Sequence, residues 1–129
     1  MRDQKKSIID KKTLKWDCEN PDFSLTLPSR YFFDKEIFER EIETIIYPSW
    51  HFVCHKSEIL NTGDFVKFDI LKESILVIRA EDESVNAMHN VCKHRGTQLI
   101  QDRRGNIKNM ITCPYHAWSY HLNGNLRHA

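Results

Sequence analysis

The feature that most constrains this chain is a pair of Cys/His couples. "NVCKHRGTQLI" holds Cys92 and His94, and "ITCPYHAWSY" holds Cys113 and His116. Together they read C-x-H-x18-C-x2-H. Each couple offers one soft thiolate and one borderline imidazole, donors suited to zinc or to an iron–sulfur cluster rather than to magnesium or calcium. A structural zinc site normally draws its cysteines from one closely spaced couple and its histidines from another. Here each loop mixes the two types. Four cysteines, Cys18, Cys54, Cys92 and Cys113, are present, and in a reducing compartment metal ligation explains a Cys/His cluster better than disulfides do.

The rest of the sequence describes the scaffold that must carry those loops. With 129 residues, 40% of them hydrophobic and 29% charged, the chain is long enough for one soluble domain with a real core. A net charge of +1 gives no electrostatic reason to expect nucleic acid or a membrane as partner. The N-terminus lacks the apolar core of a signal peptide, and no segment approaches a membrane span, so a cytoplasmic location is expected. Residues 1–30 read as a solvated arm carrying Lys5, Lys6, Lys11, Lys12 and Lys15, with Pro21 and Pro28. Residues 31–48 form a helical lead-in. Asp34 suits an N-cap, Phe38, Ile42, Ile45 and Ile46 fall on one stripe expected to be buried, and Pro48 ends the helix.

From residue 49 to residue 129 the texture is β. "WHFVCH" is expected as a strand, and "DFVKFDI" as one with Val66, Phe68 and Ile70 on a single face. "SILVIRAE" reads as a strand buried on both faces, and "SVNAMHNV" leads into the first couple. Turns are expected around Gly63, residue 82, Gly105 and Gly124. The fold class is therefore mainly β, antiparallel sheets with the two loops at hairpin ends, preceded by one helix.

The spacing of the couples resembles the Rieske [2Fe–2S] signature, in which two Cys hold one iron and two His the other. Two neutral imidazoles in place of two thiolates leave the centre less negative, so it accepts an electron more readily than an all-cysteine cluster. Respiratory and photosynthetic Rieske proteins carry an extra cysteine pair, but here those positions are Thr97 and Tyr115. "CKHRG…CPYHAWSY…NGNL", with the preceding "TLPSRYFFDKEIFEREIETIIYPSWHFVCHKSEI", instead resembles the N-terminal domain of the α subunits of Rieske non-haem iron oxygenases, over residues 25–129.

That resemblance implies a fold of antiparallel sheets with a small cluster-binding subdomain and the ligands Cys92, His94, Cys113 and His116. It implies electrons received from a ferredoxin or flavin reductase. These pass to a mononuclear Fe(II) in a catalytic domain of the same or a neighbouring subunit, a centre expected only in the full-length protein. Arg95, Gly96, Tyr115 and Trp118 are the residues expected around the cluster; Tyr120 could also shield it or supply a hydrogen bond but is set aside as core packing, and no catalytic residue is assigned. The sequence ends at "NLRHA", where the family's chains continue, so a truncated subunit is expected. The substrate, an aromatic ring or a quaternary amine, is left open, and so are mono- versus dioxygenation and oligomeric state.

Other residues read more plainly. His51 and His55, on a strand, would lie about 13 Å apart, too far to share a metal, and are expected to be structural or solvent-facing. Cys18 and Cys54 read as inert thiols. Arg103, Arg104 and Lys108 in "DRRGNIKN" read as a solvated hairpin tip. The alternative functions are a stand-alone Rieske ferredoxin, against which the helical lead-in argues, and a colourless structural zinc module.

Overall fold

The computed structural model describes residues 26–129. The chain divides into two compact units, Met1–His51 and Phe52–Ala129. The expectations for Cys18, Pro21 and the N-terminal lysines lie outside the described residues.

In the first unit a 3-10 turn, Ser29–Phe32, leads to helix α1, Lys35–Glu41. The Asp34 carboxylate accepts from the backbone N–H of Glu36 (3.0 Å) and of Ile37 (3.4 Å), so the expected N-cap is in place. From Ile42 to Ile46 the backbone widens into a π-type turn, in which the Tyr47 N–H donates to the Ile42 carbonyl at 3.0 Å. The expected buried stripe does not survive this change. Ile37 is the buried residue, Ile42 and Ile46 are half-buried, and Phe38 and Ile45 are exposed. A stripe from Phe38 to Ile46 assumes one helical period throughout, and the π turn takes more residues per turn and shifts the phase at Ile42. His51 bonds through Nε2 to the Ile46 carbonyl (2.6 Å), a structural use of that side chain.

In the second unit, "WHFVCH" continues from residue 52 without joining any ladder, contrary to expectation. Its apolar side chains go into packing rather than pairing, because Val53 and Cys54 lie against Ile59, Val66 and Val77. The segment ends where His55 caps a 3-10 turn, Lys56–Glu58. His55 Nδ1 accepts from the Ser57 N–H, and the Glu58 carboxylate accepts from the His55 N–H at 2.8 Å. Arg104 pairs with the same carboxylate. Together with the His55 N–H, that guanidinium holds the Glu58 carboxyl below its ordinary range.

Strands β1 (Asp64–Ile70), β2 (Glu73–Arg79), β3 (Val85–His89) and β4 (Arg104–Asn106) form an antiparallel sheet in the order β3-β2-β1-β4. Strands β5 (Ile111–Thr112), β6 (Ser119–Tyr120) and β7 (Leu126–His128) form a second, smaller sheet. As its continuous apolar run requires, β2 is covered on both faces. Leu76 and Ile78 enter the main core with Phe65, Leu99, Ile111, Tyr120 and Leu122, while Val77 joins the second cluster behind the sheet. Strand β1 behaves the same way, Phe65 on one side and Val66 on the other, where only one buried face is expected from its alternation. The run in β2 ends in Arg79, which is itself buried. Its guanidinium is satisfied by the carbonyls of Ile59 (2.5 Å) and Glu83 (2.7 Å).

The turns around Gly63, residue 82 and Gly124 form as expected, but Gly105 lies inside β4, opposite Phe65. A Cβ on Gly105 would stand 2.9 Å from the Phe65 ring, so the glycine marks a ring lying over backbone rather than a turn. Gly63 is more tightly held. Its φ is +85°, and a Cβ there would stand 2.0 Å from the Ile107 carbonyl oxygen. Gly124 (φ +89°) would meet only the flexible Met88 side chain, at 3.2 Å. Gly63→Ala is therefore expected to cost roughly 2–3 kcal/mol and Gly124→Ala about 1 kcal/mol, read as thermal or denaturant unfolding. Equal losses at the two sites would contradict this packing account.

Candidate metal centre

The two Cys/His couples lie on loops built to the same plan. In the first, the Cys92 N–H donates to the Thr97 carbonyl (2.7 Å) and the Gly96 N–H donates back to the Cys92 carbonyl (2.9 Å). In the second, the Cys113 N–H donates to the Trp118 carbonyl (2.8 Å) and the Ala117 N–H to the Cys113 carbonyl (3.1 Å). An antiparallel pair closes each loop, Val91 with Gln98 and Thr112 with Ser119. The fourth residue after each cysteine takes a left-handed conformation, Gly96 at φ +71° and Ala117 at φ +60°. Space around the Gly96 Cα is open, so the glycine answers to its dihedral rather than to a close neighbour. Ala117 holds the same conformation at a steric cost of about 1–2 kcal/mol.

Within this shared frame the histidine sits two residues after Cys92 but three after Cys113. The structure nevertheless brings like donors together. Cys92 and Cys113 are 2% and 3% exposed, belong to the same main core cluster and are free thiols. His94 and His116 are exposed, with their Nδ1 atoms 3.2 Å apart. Two nitrogens bound to one tetrahedral ion at about 2.0–2.1 Å would stand about 3.3 Å apart, so the imidazoles are already disposed to share an ion. Among the described residues, no three His, Cys, Asp or Glu side chains gather around a single point. The donors come as a buried sulfur pair and an exposed nitrogen pair, a set that fits two irons better than one tetrahedral zinc.

The surroundings favour the metal-binding protonation states. Burial pushes the Cys92 thiol up, but the Tyr120 hydroxyl first, and then the polar groups of the His94 and Arg95 backbone and Cys113, outweigh it. The net effect is to hold Cys92 below its ordinary value. His94 is also held low, by desolvation first and then by the neighbouring His116 and Arg95, which favours the neutral imidazole that a ligand must be.

Of the residues expected around the couples, Trp118 stacks on His94 (centroids 4.9 Å apart, planes at 11°) and Tyr115 packs on His116 (3.8 Å). Arg95 is exposed beside His94. Tyr120, set aside in the sequence in favour of core packing, makes a direct contact. It is 4% exposed, its hydroxyl lies 3.3 Å from Cys92 Sγ, and its oxygen accepts from the Lys93 N–H at 3.0 Å. With Cys92 as a thiolate, which has no proton to give, the hydroxyl is the donor of that pair. Burial and the adjacent Cys92 both push the phenol up, so Tyr120 stays a donor. Its place seven residues after Cys113, in β6, is the available signal, because the hairpin folds β6 back against the first loop. His51 and His55 are both in structural use, and Cys54 is a half-buried thiol of the second cluster, its own value raised by burial.

Comparisons with known proteins agree with this geometry. The family model for the Rieske [2Fe-2S] domain matches residues 49–129. The chain is 46% identical over 112 residues to the carnitine monooxygenase oxygenase subunit of Escherichia coli (strain K12), an alignment covering 87% of this chain and 30% of the relative. It is 37% identical over 105 residues to the glycine betaine monooxygenase oxygenase subunit of Pseudomonas aeruginosa, covering 81% and 24%. Among solved structures, the quaternary ammonium Rieske monooxygenase CntA in complex with L-carnitine superposes with a TM-score of 0.81 at 41% identity, covering 87% of this chain and 32% of that one. Naphthalene 1,2-dioxygenase from Rhodococcus gives 0.74 at 35% identity, covering 79% and 23%. The chain thus spans 30% or less of the length of these curated relatives. By the family model, by identity and by fold, this chain belongs to the Rieske [2Fe-2S] domain family, and its relatives are oxygenase subunits.

Proposed function

We propose that Cys92, His94, Cys113 and His116 hold the [2Fe–2S] cluster, and that the domain passes single electrons within the terminal component of a Rieske non-haem iron oxygenase. The observation that carries this reading is the sorting of donors, with both sulfurs in the core and both Nδ1 atoms 3.2 Å apart at the surface. When bound, the cluster supplies reversible one-electron chemistry at a potential above that of all-cysteine centres. The protein's own part is to keep water from the sulfurs, to hold His94 neutral and to leave the imidazole edges open to a partner. Arg95, Gly96, Tyr115 and Trp118 position the histidine end, and Tyr120 donates to the sulfur end.

In this proposal residues 1–30 are an arm, 31–48 a helical lead-in and 49–129 the cluster domain. A ferredoxin or flavin reductase is the donor. The acceptor is a mononuclear iron in a catalytic domain of the same or a neighbouring subunit. A quaternary ammonium compound is the substrate class we favour, supported by the carnitine and glycine betaine relatives. A cytoplasmic location belongs to the same reading, and no helix among the described residues is long and apolar enough to cross a membrane. A stand-alone carrier has less support, since the relatives named above are oxygenase subunits.

Elemental analysis tests the ligand set. Purified protein is expected to carry about two irons and two acid-labile sulfides per chain, with loss of both in Cys92→Ser and retention in Cys54→Ser. Zinc without sulfide, or cluster loss in Cys54→Ser alone, would overturn the assignment. Redox titration tests Tyr120. A donor to a cluster sulfur stabilises the more electron-rich reduced state, so Tyr120→Phe is expected to lower the midpoint potential by roughly 40 mV, the one-electron equivalent of about 1 kcal/mol. An unchanged or raised potential would show that the hydroxyl does not act on the sulfur.

A further inference from the structure

The two loops share their hydrogen-bond frame but stand on different stems. Below the second loop is a regular ladder, Thr112 with Ser119 and then Ile111 with Tyr120. Below the first loop there is one isolated bridge, Val91 with Gln98. The next backbone pair is held by one long bond, the Leu99 N–H to the Asn90 carbonyl at 3.4 Å, and beyond it a side chain takes over. The Asn90 carboxamide donates from Nδ2 to the Ile100 carbonyl at 2.7 Å and accepts at Oδ1 from the Ile100 N–H at 2.9 Å. It thereby pairs with both backbone groups of Ile100, as a strand residue would.

We infer that Asn90 is the positioning residue of the cluster's first loop, its amide supplying the rung that keeps Cys92 and His94 in register with Cys113 and His116. The inference rests on the ligand set proposed above. Asn90 is 3% exposed, and its burial is justified only if the amide is fully used. Nδ2 also reaches the Ser74 hydroxyl at 3.3 Å, which Gln98 Nε2 meets at the same distance. Ser74 in turn donates to Asp69 at 2.6 Å, and its carbonyl accepts from the Asn90 N–H at 2.8 Å. The stem is thus tied to the β1–β2 hairpin, far in sequence from either couple. The residue type follows from the chemistry. Only a carboxamide presents a donor and an acceptor side by side, a carboxylate lacks the donor, and an aliphatic side chain lacks both. The second loop needs no such residue, because its rungs are backbone.

The test compares the loops in cluster-loaded protein. Asn90→Asp and Asn90→Leu are expected to speed hydrogen exchange at the Cys92, Gly96 and Ile100 amides about tenfold while leaving Cys113 and Ala117 unchanged. Chelator-driven bleaching should accelerate about tenfold, and on heating the cluster colour should fade before the sheet circular dichroism does. Ser74→Ala, which leaves the Ile100 pair intact, should move the same amides by about two- to threefold, and it decides the matter if the Asn90 variants fail to fold. Equal acceleration in both loops, or none in the first, overturns the inference and marks Asn90 as an ordinary buried amide. The ligand set is judged separately, by iron and sulfide in Cys92→Ser, so either conclusion can fall without the other.

Discussion

The centre depends on one constraint: two cysteine sulfurs must be held in the interior while their neighbouring imidazoles stay at the surface. The chain meets it by repeating one small device. In each loop the cysteine N–H reaches across to a carbonyl five residues on, and a left-handed residue turns the chain back. Because Cys92 and Cys113 belong to the same cluster as Phe65, Leu76, Ile78 and Ile111, the loop bases are fixed by the best-buried part of the fold. Each such aliphatic side chain contributes roughly 1.5–3 kcal/mol. The loops are therefore held by the core rather than hung from its rim.

Within that symmetry the differences carry the chemistry. Moving the histidine by one position lets two similar loops aim their Nδ1 atoms at a common point from different sides. Tyr120 addresses only the first cysteine, and Trp118 and Tyr115 each cover one imidazole. The environment is asymmetric from the sulfur pair to the nitrogen pair, dry and hydrogen-bonded at sulfur, open and flanked by Arg95 at nitrogen. This is the arrangement a one-electron relay needs, with charge stabilised inside and contact offered outside.

Much of this was legible in the residues. The mixed couples identify the loops, and the apolar run of β2 identifies the strand buried on both faces. Asp34 marks the helix start because a short carboxylate before a helical stretch has few other uses. The misreadings share one cause, in that a local pattern is silent about its partner. "WHFVCH" has strand composition, but Val53 and Cys54 spend it on packing while His55 and Glu58 close a turn. Gly105 looks like a turn until Phe65 is placed over it. The stripe from Phe38 presumes a helical period that the π turn at Ile42–Ile46 breaks. Tyr120 and Asn90 matter only through contacts 28 and 10 residues away in sequence, and no spacing rule reaches them.

Pulsed electron paramagnetic resonance on the reduced protein with nitrogen-15 histidine addresses the central claim most directly. The account requires two nitrogen couplings, one disappearing with His94 and the other with His116, both untouched by changes at His51 or His55. A reduced centre without nitrogen coupling, or one whose couplings persist after both loop histidines are replaced, would contradict it.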